Sequence, residues 1–315
     1  MIGGKRSWWV GAYALTATLE RFSERDAADF YAAIHQLPGL AGLELPLHLL
    51  EKKDDPWRHL HCLPRDLDFI LTPLPYVMQS LEKQPLFGLA SPDHEGRAAA
   101  LRFISEIRQR IHRLEDHTGR AAVRAVQLHS APTGQAEAAS FRRSLEDIVA
   151  MDWGAVELWL EHCDAVIPGQ IPAKGFLPLA DEVTIAKDLG LGITINWGRS
   201  VLETRQVEGA LHHIQTAAHA GVLRSVFLSS TAQNDPLYGT WLDNHAPVQG
   251  IGVGPWRPTH SLLNADAVHA ALAAAAQASC FGLKIQPFPV TLSLAERIDC
   301  IRQHLEFLRP GSAQT

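Results

Sequence analysis

Short apolar segments alternate with amphipathic, helix-like segments along almost the whole chain, and this alternation limits the possible folds more than any other feature. Eight segments have the length and the apolar, β-branched or aromatic composition of buried strands, and apolar residues at helical spacing follow most of them. The predicted strands are residues 7–13, 41–45, 68–72, 123–129, 155–164, 192–196, 223–229 and 281–286. About eight such units in 315 residues predict a single closed (β/α)8 barrel, a TIM barrel, over residues 1–315.

Composition argues against several classes of partner. The net charge is −6, from 28 Lys+Arg and 34 Asp+Glu, and no basic run stands out, so nucleic acid is not expected as a partner. No apolar segment is long enough to cross a membrane, and no cleavage site follows the Lys5-Arg6 pair, so we expect a cytoplasmic protein without a membrane partner. The four cysteines include no C-x-x-C pair, which argues against a disulfide framework.

Several helix boundaries and one long loop can be placed from local signals. Ser23 to Asp26 and Ser293 to Glu296 have capping-box spacing, and Ser91-Pro92-Asp93 resembles the start of a helix that ends at Gly119. No Gly-x-Gly-x-x-Gly follows the first strand, so no nucleotide cofactor is expected. Residues 231–261 form a loop rich in Pro, Gly, Asn and Trp, and loops of that length are often functional lids.

Polar side chains fall near the carboxyl ends of the predicted strands, where barrel enzymes keep their active sites. In the fifth strand, Glu157, Trp159 and Glu161 alternate onto one face, and Glu161 is nearest the carboxyl end. So many hydrogen-bonding groups predict a wet pocket for a polar, sugar-like ligand. The full set is Glu44, Gln127, His129, Glu157, Glu161, Thr194, Asn196, Ser229, Lys284 and Gln286.

Each candidate also has a structural interpretation. A buried ion pair between Glu157 and Lys284 is at least as plausible as a catalytic role, and Lys284 as a Schiff-base lysine is a further alternative. His162 points away from Glu161 and fits a hydrogen-bonded core histidine, and His213 fits a surface or packing residue. Three tryptophans could stack on a sugar or pack the loop on the barrel, and two arginines could hold an anionic substrate group or lie in solvent. These are Trp197, Trp241, Trp256, Arg199 and Arg257.

Three motifs carry a resemblance to a known family. LEHCDA at residues 160–165, KGFLPL at 174–179 and NWGR at 196–199 resemble DUF4862, a bacterial branch of the xylose-isomerase-like sugar phosphate isomerase/epimerase superfamily that also contains endonuclease IV. The resemblance covers nearly the whole chain and implies a TIM barrel, a small carbohydrate substrate and a possible homo-oligomer. It carries less information about the reaction, because a barrel hosts many chemistries.

The superfamily also implies one divalent metal, held by residues at the ends of strands five to eight. Glu161 matches the first of these ligands, but Asn196, Ser229 and Gln286 occupy the other three positions. His129, and His245 within an Asp-x-His segment similar to that of endonuclease IV, are substitute ligands for Zn²⁺ or Mn²⁺. The predicted metal set is therefore Glu161, His129 and His245.

Three functions remain open from the sequence. The first is a carbohydrate-active enzyme, an isomerase, epimerase or β-elimination lyase that abstracts a proton next to a carbonyl. Its expected catalytic residues are Glu161, His129 and Lys284, and its expected substrate-binding residues are Asn196, Trp197, Arg199, Ser229, Trp241 and Gln286. The second is a sugar-binding barrel that has lost its metal and its catalysis. The third is a metal-dependent phosphodiesterase resembling endonuclease IV.

Overall fold

The computed structural model describes residues 8–49 and 52–309, and eight parallel strands in these ranges close into a barrel in chain order. The strands are β1 (Trp8–Val10), β2 (Leu40–Pro46), β3 (Asp68–Thr72), β4 (Val123–Leu128), β5 (Glu157–His162), β6 (Gly192–Asn196), β7 (Leu223–Leu228) and β8 (Cys280–Leu283). Each pairs with its two neighbours, and β8 pairs with β1. The predicted (β/α)8 barrel is confirmed. A single domain over 1–315 stays a prediction.

Ten α-helices are found in the described part of the chain. They are α1 (Tyr13–Thr16), α2 (Glu24–His35), α3 (Leu74–Lys83), α4 (His94–Thr118), α5 (Ala138–Val149), α6 (Leu179–Leu189), α7 (Trp197–Thr204), α8 (Val207–His219), α9 (Ala265–Ala274) and α10 (Leu294–Phe307). Both predicted capping boxes are present, at Ser23 and Ser293. α4 begins later than predicted, because Asp93 rather than Ser91 accepts the capping hydrogen bond. None of the described helices is both long and apolar enough to cross a membrane.

Two hydrophobic clusters form the core, one outside the ring of strands and one inside it. The larger cluster lies between the strands and the helices, and a smaller one fills the barrel interior. Trp9, Trp159 and Phe227 provide most of the volume of the inner cluster. Gly282 gives space for it, since a Cβ there would lie 2.3 Å from the Phe227 ring. These aromatic rings close one end of the barrel and leave the polar residues towards the carboxyl ends of the strands.

The segment between β7 and α9 has internal order of its own. Isolated bridges join Ser230 to Ala246 and Ala232 to Ser261, and Asp235 accepts hydrogen bonds from four backbone amides of the same segment. The predicted loop 231–261 is therefore a compact structure packed at the carboxyl end of the barrel.

Candidate functional site

Glu161 is the centre of a fully buried polar cluster at the carboxyl end of the barrel. It follows Trp159 on the inward face of β5, one step beyond the aromatic rings that fill the interior. His129 Nε2 donates a hydrogen bond of 2.7 Å to its Oε2, and Arg199 Nη1 donates one of 2.6 Å to its Oε1. Lys284 Nζ lies 3.9 Å from the same Oε1. One carboxylate thus contacts an imidazole, a guanidinium and an ammonium group.

The charges around Glu161 determine its protonation state. Burial alone would favour the neutral acid, but the cations Arg199 and Lys284 outweigh burial and hold the pKa of Glu161 below its usual range. Burial lowers the pKa of His129, although the hydrogen bond to Glu161 opposes that effect. At neutral pH we therefore assign a carboxylate beside a neutral imidazole. In that pair Nε2 carries the proton, and the buried Nδ1, which has no hydrogen-bond partner in the described part of the chain, is a free acceptor.

Lys284 has a different partner from the one that the sequence suggested. The ion pair expected between Lys284 and Glu157 is absent: Lys284 Nζ lies 2.7 Å from Oε2 of Glu44 on β2. Glu157 lies at the other end of β5, where it pairs with Arg124 at 2.6 Å. Although burial disfavours the ammonium group, the carboxylates Glu44 and Glu161 outweigh it and raise the pKa of Lys284. A charged lysine is a poor nucleophile, so this arrangement does not favour a Schiff base.

Residues 231–261, the covering segment, lie over the cluster and contact it through a second carboxylate, Asp243. Arg199 Nε donates to Asp243 at 3.1 Å, and Lys174 Nζ approaches it at 3.0 Å. Burial of Asp243 is outweighed by Arg199 and Lys174, which hold its pKa well below the usual range. Arg199 therefore connects β5 to the segment above the barrel. Trp241 and His245 of this segment have positive φ angles of 52° and 55°, a conformation uncommon for residues other than glycine.

The structure does not assemble the predicted metal set. Glu161 and His129 are in contact, but His245 Nδ1 lies 2.8 Å from Ser229 Oγ and 3.6 Å from Asp243. Within the described residues, the three do not form a group of converging ligand atoms. Both oxygens of Glu161 are already bound, and two cationic side chains would repel a divalent ion there. The residues at the barrel mouth therefore do not fit the metal that the superfamily implies.

The predicted substrate-binding residues have different surroundings. Asn196 is buried and caps α7, where its Oδ1 accepts from the Arg199 amide at 3.3 Å; its Nδ2 has no partner within residues 8–49 and 52–309. Trp197 is 1% exposed and belongs to the outer hydrophobic cluster, so it packs rather than lining a pocket. Trp241 is half-buried, and the guanidinium carbon of Arg205 lies 4.4 Å from the centre of the Trp241 ring. Gln286 is half-buried, and its backbone amide donates to His245. Ser229 contacts His245, as described above.

Further unpartnered polar groups lie among these residues. Gln127 and Thr194 are completely buried on the two strands that flank β5, and neither side chain has a hydrogen-bond partner among the residues that the structure describes. A buried polar group without a partner costs free energy, so such groups are candidates for binding water or a polar ligand. Both residues belong to the polar set that the sequence predicts at the barrel mouth. The pairing of Glu44 with Lys284 is not predicted, because the relative depth of two strands is not evident from their sequences.

A second buried polar cluster lies on the opposite face of β5. His162 is 0% exposed, as expected for a core histidine, and contacts Glu182 and Glu203 at 2.7 and 3.2 Å. His213 is also buried, with its Nε2 3.7 Å from Glu203. Of the residues described, His162, Glu203 and His213 have ligand atoms that all lie within 4.8 Å of one another. A possible metal-binding cluster is thus present, but not where it was predicted.

Comparison with known proteins identifies the family. The profile described as "Domain of unknown function (DUF4862)" matches residues 9–300. The chain belongs to the DUF4862 family. It is also 32% identical over 311 residues to the uncharacterized protein STM3670 of Salmonella typhimurium strain LT2, covering 96% of this chain and 97% of that protein.

Solved structures similar to this DUF4862 protein share its fold at low sequence identity. A D-allulose 3-epimerase from Methylomonas sp. is 14% identical with a TM-score of 0.55, covering 97% of this chain and 98% of the other. A xylose isomerase domain protein from Alicyclobacillus acidocaldarius is 13% identical with a TM-score of 0.51, covering 96% and 97%. The similar barrels are thus xylose-isomerase-like, as the sequence motifs indicated. At such identity the likeness establishes the fold alone.

Proposed function

We propose that this protein is an isomerase or epimerase of a small carbohydrate, which it activates by removing a proton next to a carbonyl group. The observation that carries the proposal is the buried Glu161 carboxylate, held between the neutral imidazole of His129 and the cations Arg199 and Lys284. Proton abstraction next to a carbonyl needs a base and a positive charge near the oxygen that becomes negative. The cluster contains both.

His129 is the general base in this proposal. Glu161 accepts the Nε2 proton and so fixes the tautomer in which Nδ1 has a free lone pair, as a carboxylate orients a catalytic histidine in other enzymes. Nδ1 removes the proton, and the C–H electron pair forms a carbon–carbon double bond while the carbonyl oxygen becomes an enediolate oxygen. When His129 returns the proton to the neighbouring carbon, the hydroxyl proton of that carbon passes to the former carbonyl oxygen and the isomer forms. When water supplies a proton to the opposite face of the original carbon, the epimer forms and His129 releases its proton to solvent. Glu161 positions the base, since its lowered pKa makes the carboxylate itself a weak base.

Arg199 and Lys284 stabilise the enediolate in place of a divalent ion. Both side chains are almost completely buried, and fixed charges act strongly in such surroundings. The unpartnered groups of Gln127, Thr194 and Asn196 can form hydrogen bonds to substrate hydroxyls. A compound with one carbonyl and several hydroxyl groups, such as a keto-sugar, matches this set of donors and acceptors.

Solvent deuterium exchange tests the proposal directly. The protein, treated with a chelator, is incubated in D₂O with a panel of ketopentoses and ketohexoses, and exchange of the proton next to the carbonyl is followed by NMR. We expect exchange with at least one sugar, and a loss of about 10²-fold or more in His129→Gln. His219→Gln, on the exposed side of α8, is the matched control and should retain full exchange. Exchange that survives in His129→Gln, or that occurs only after a divalent ion is added, would contradict the mechanism.

A sugar-binding barrel without catalysis is the second candidate, and one observation favours it. Glu161 and Lys284 are both 0% exposed, so the charged cluster is closed from solvent in this structure. A binding protein can use such a cluster to orient a polar ligand without chemistry. A sugar that raises the melting temperature without any deuterium exchange would support this function, whereas exchange would exclude it.

A further inference from the structure

The cluster on the outer face of β5 is built from this strand and the two helices α7 and α8. His162 lies on β5, Glu203 on α7 and His213 on α8. His162 Nε2 lies 3.2 Å from Glu203 Oε2, and His213 Nε2 lies 3.7 Å from Glu203 Oε1. In a tetrahedral site with bonds of about 2.0–2.1 Å, ligand atoms are about 3.3 Å apart. Small side-chain rotations would therefore bring the three ligand atoms around one ion.

The groups around the cluster orient these side chains as metal ligands are oriented. His162 Nδ1 donates a hydrogen bond of 2.7 Å to Glu182, which in turn accepts one of 2.5 Å from Ser130 Oγ. A histidine whose second nitrogen donates to a carboxylate is the usual arrangement in zinc proteins. Glu203 Oε2 is also held, by the Ala165 amide at 2.8 Å. Ser130, Ala165 and Glu182 thus form an outer shell that fixes two of the three candidate ligands.

The charge of the cluster and the convergence of its two histidine rings also indicate a cation. Two carboxylates, Glu182 and Glu203, are buried against His162, and a proton on His162 would neutralise only one of the two negative charges. A divalent ion would neutralise both. His213 is 93% buried. Its ring meets that of His162 edge to face at 5.1 Å, so both histidines converge on the same space.

We propose that His162, Glu203 and His213 form a binding site for Zn²⁺, with one enclosed water molecule as the fourth ligand. Two imidazole nitrogens and one carboxylate oxygen are a donor set typical of zinc, whereas Ca²⁺ and Mg²⁺ prefer oxygen ligands alone. The site is separate from the barrel mouth, since His162 and Glu161 are consecutive residues on opposite faces of β5. The ion joins β5 to α7 and α8, so we expect it to stabilise the folded protein.

Metal titration of purified, metal-free protein tests the site. Co²⁺ is the spectroscopic probe: in a tetrahedral nitrogen and oxygen site it gives strong visible absorption, and Zn²⁺ should displace it at one equivalent. We also expect Zn²⁺ at 100-fold excess over its Kd to raise the melting temperature by about 4 °C or more. Absence of the cobalt absorption together with no thermal shift by Zn²⁺ would overturn the proposal.

Variants distinguish this site from adventitious binding. Glu203→Gln keeps an acceptor for the Ala165 amide but removes the charge, and His213→Gln removes one nitrogen ligand. Both should lower Zn²⁺ affinity by at least about 10-fold. His212→Gln is the matched control, because His212 is exposed on the same helix. Affinity equal to that of the wild type in Glu203→Gln and His213→Gln would assign binding to other residues. Circular dichroism verifies that each variant is folded. Deuterium exchange at the barrel mouth is measured on chelated protein, so the two proposals can fail independently.

Discussion

Lys284 is the buried cation that two carboxylates inside the barrel, Glu44 and Glu161, share. Its ammonium lies 2.7 Å from Glu44 and 3.9 Å from Glu161, and the rings of Phe227 and Tyr13 lie 5.3 and 5.6 Å away. All the polar atoms involved are shielded from water, so the two carboxylates depend on this one cation and on Arg199. The loss of a buried charge partner costs more than an exposed ion pair contributes.

Lys284→Met should therefore destabilise the protein by about 3–5 kcal/mol, because it leaves Glu44 without its cation. The double variant Lys284→Met/Glu44→Gln should recover part of that loss, because it also removes the Glu44 charge that Lys284→Met leaves unpaired. Urea unfolding of both variants and of Glu44→Gln alone measures the coupling. A cost below about 1 kcal/mol for Lys284→Met would mean that water reaches the cluster.

At the scale of elements, α7 connects the two faces of β5. It begins directly after β6, with Asn196 as its cap, and carries Arg199 in its first turn and Glu203 one turn later. Arg199 reaches the carboxylate of Glu161, whereas Glu203 reaches His162 on the other face. Arg199 also binds Asp243, so the same short helix fixes the covering segment.

Asp243→Asn should loosen that segment while the barrel stays intact. The change removes the ion pairs to Arg199 and Lys174, which are only slightly exposed, and we expect a cost of about 2 kcal/mol. Hydrogen–deuterium exchange measured by mass spectrometry should become faster in residues 231–261 and remain unchanged in β4 and β5. His260→Gln, an exposed substitution in the same segment, is the control. Faster exchange spread over the strands would show that Asp243 stabilises the barrel itself.

The same elements define what a single sequence can predict. The strands were located to within a few residues because buried parallel strands are continuously apolar. α7 was missed because it follows β6 without a loop and begins Trp-Gly-Arg-Ser, which has no strong helix preference. The sequence suggests an ion pair of Glu157 with Lys284 one layer below the barrel mouth, but the register pairs Glu157 with Ala125 and places Glu161 at the depth of Thr194. Depth depends on the stagger of the closed barrel, which no local pattern contains.

At the scale of the whole molecule, the covering segment is held from two sides. Asp243 binds it to the barrel mouth, and α10 holds its other side through His304, which is completely buried. His304 Nδ1 donates to the Cys300 carbonyl at 2.7 Å, and its Nε2 accepts from the Val248 amide at 3.2 Å. Only a neutral imidazole can donate from one nitrogen and accept at the other, so protonation would break the bond to Val248.

Acid should therefore destabilise the protein partly through His304. Burial lowers the pKa of His304 to about 4, against about 6.5 in an unfolded chain. Between these values the unfolded state binds the proton and the folded state does not, so stability is full above about pH 6.5 and falls by up to about 3 kcal/mol as the pH drops to about 4. The free energy of unfolding of His304→Gln should thus fall less steeply over this interval than that of the wild type. Exposed His94→Gln is the control, and parallel pH profiles for all three proteins would show that other groups govern the acid response.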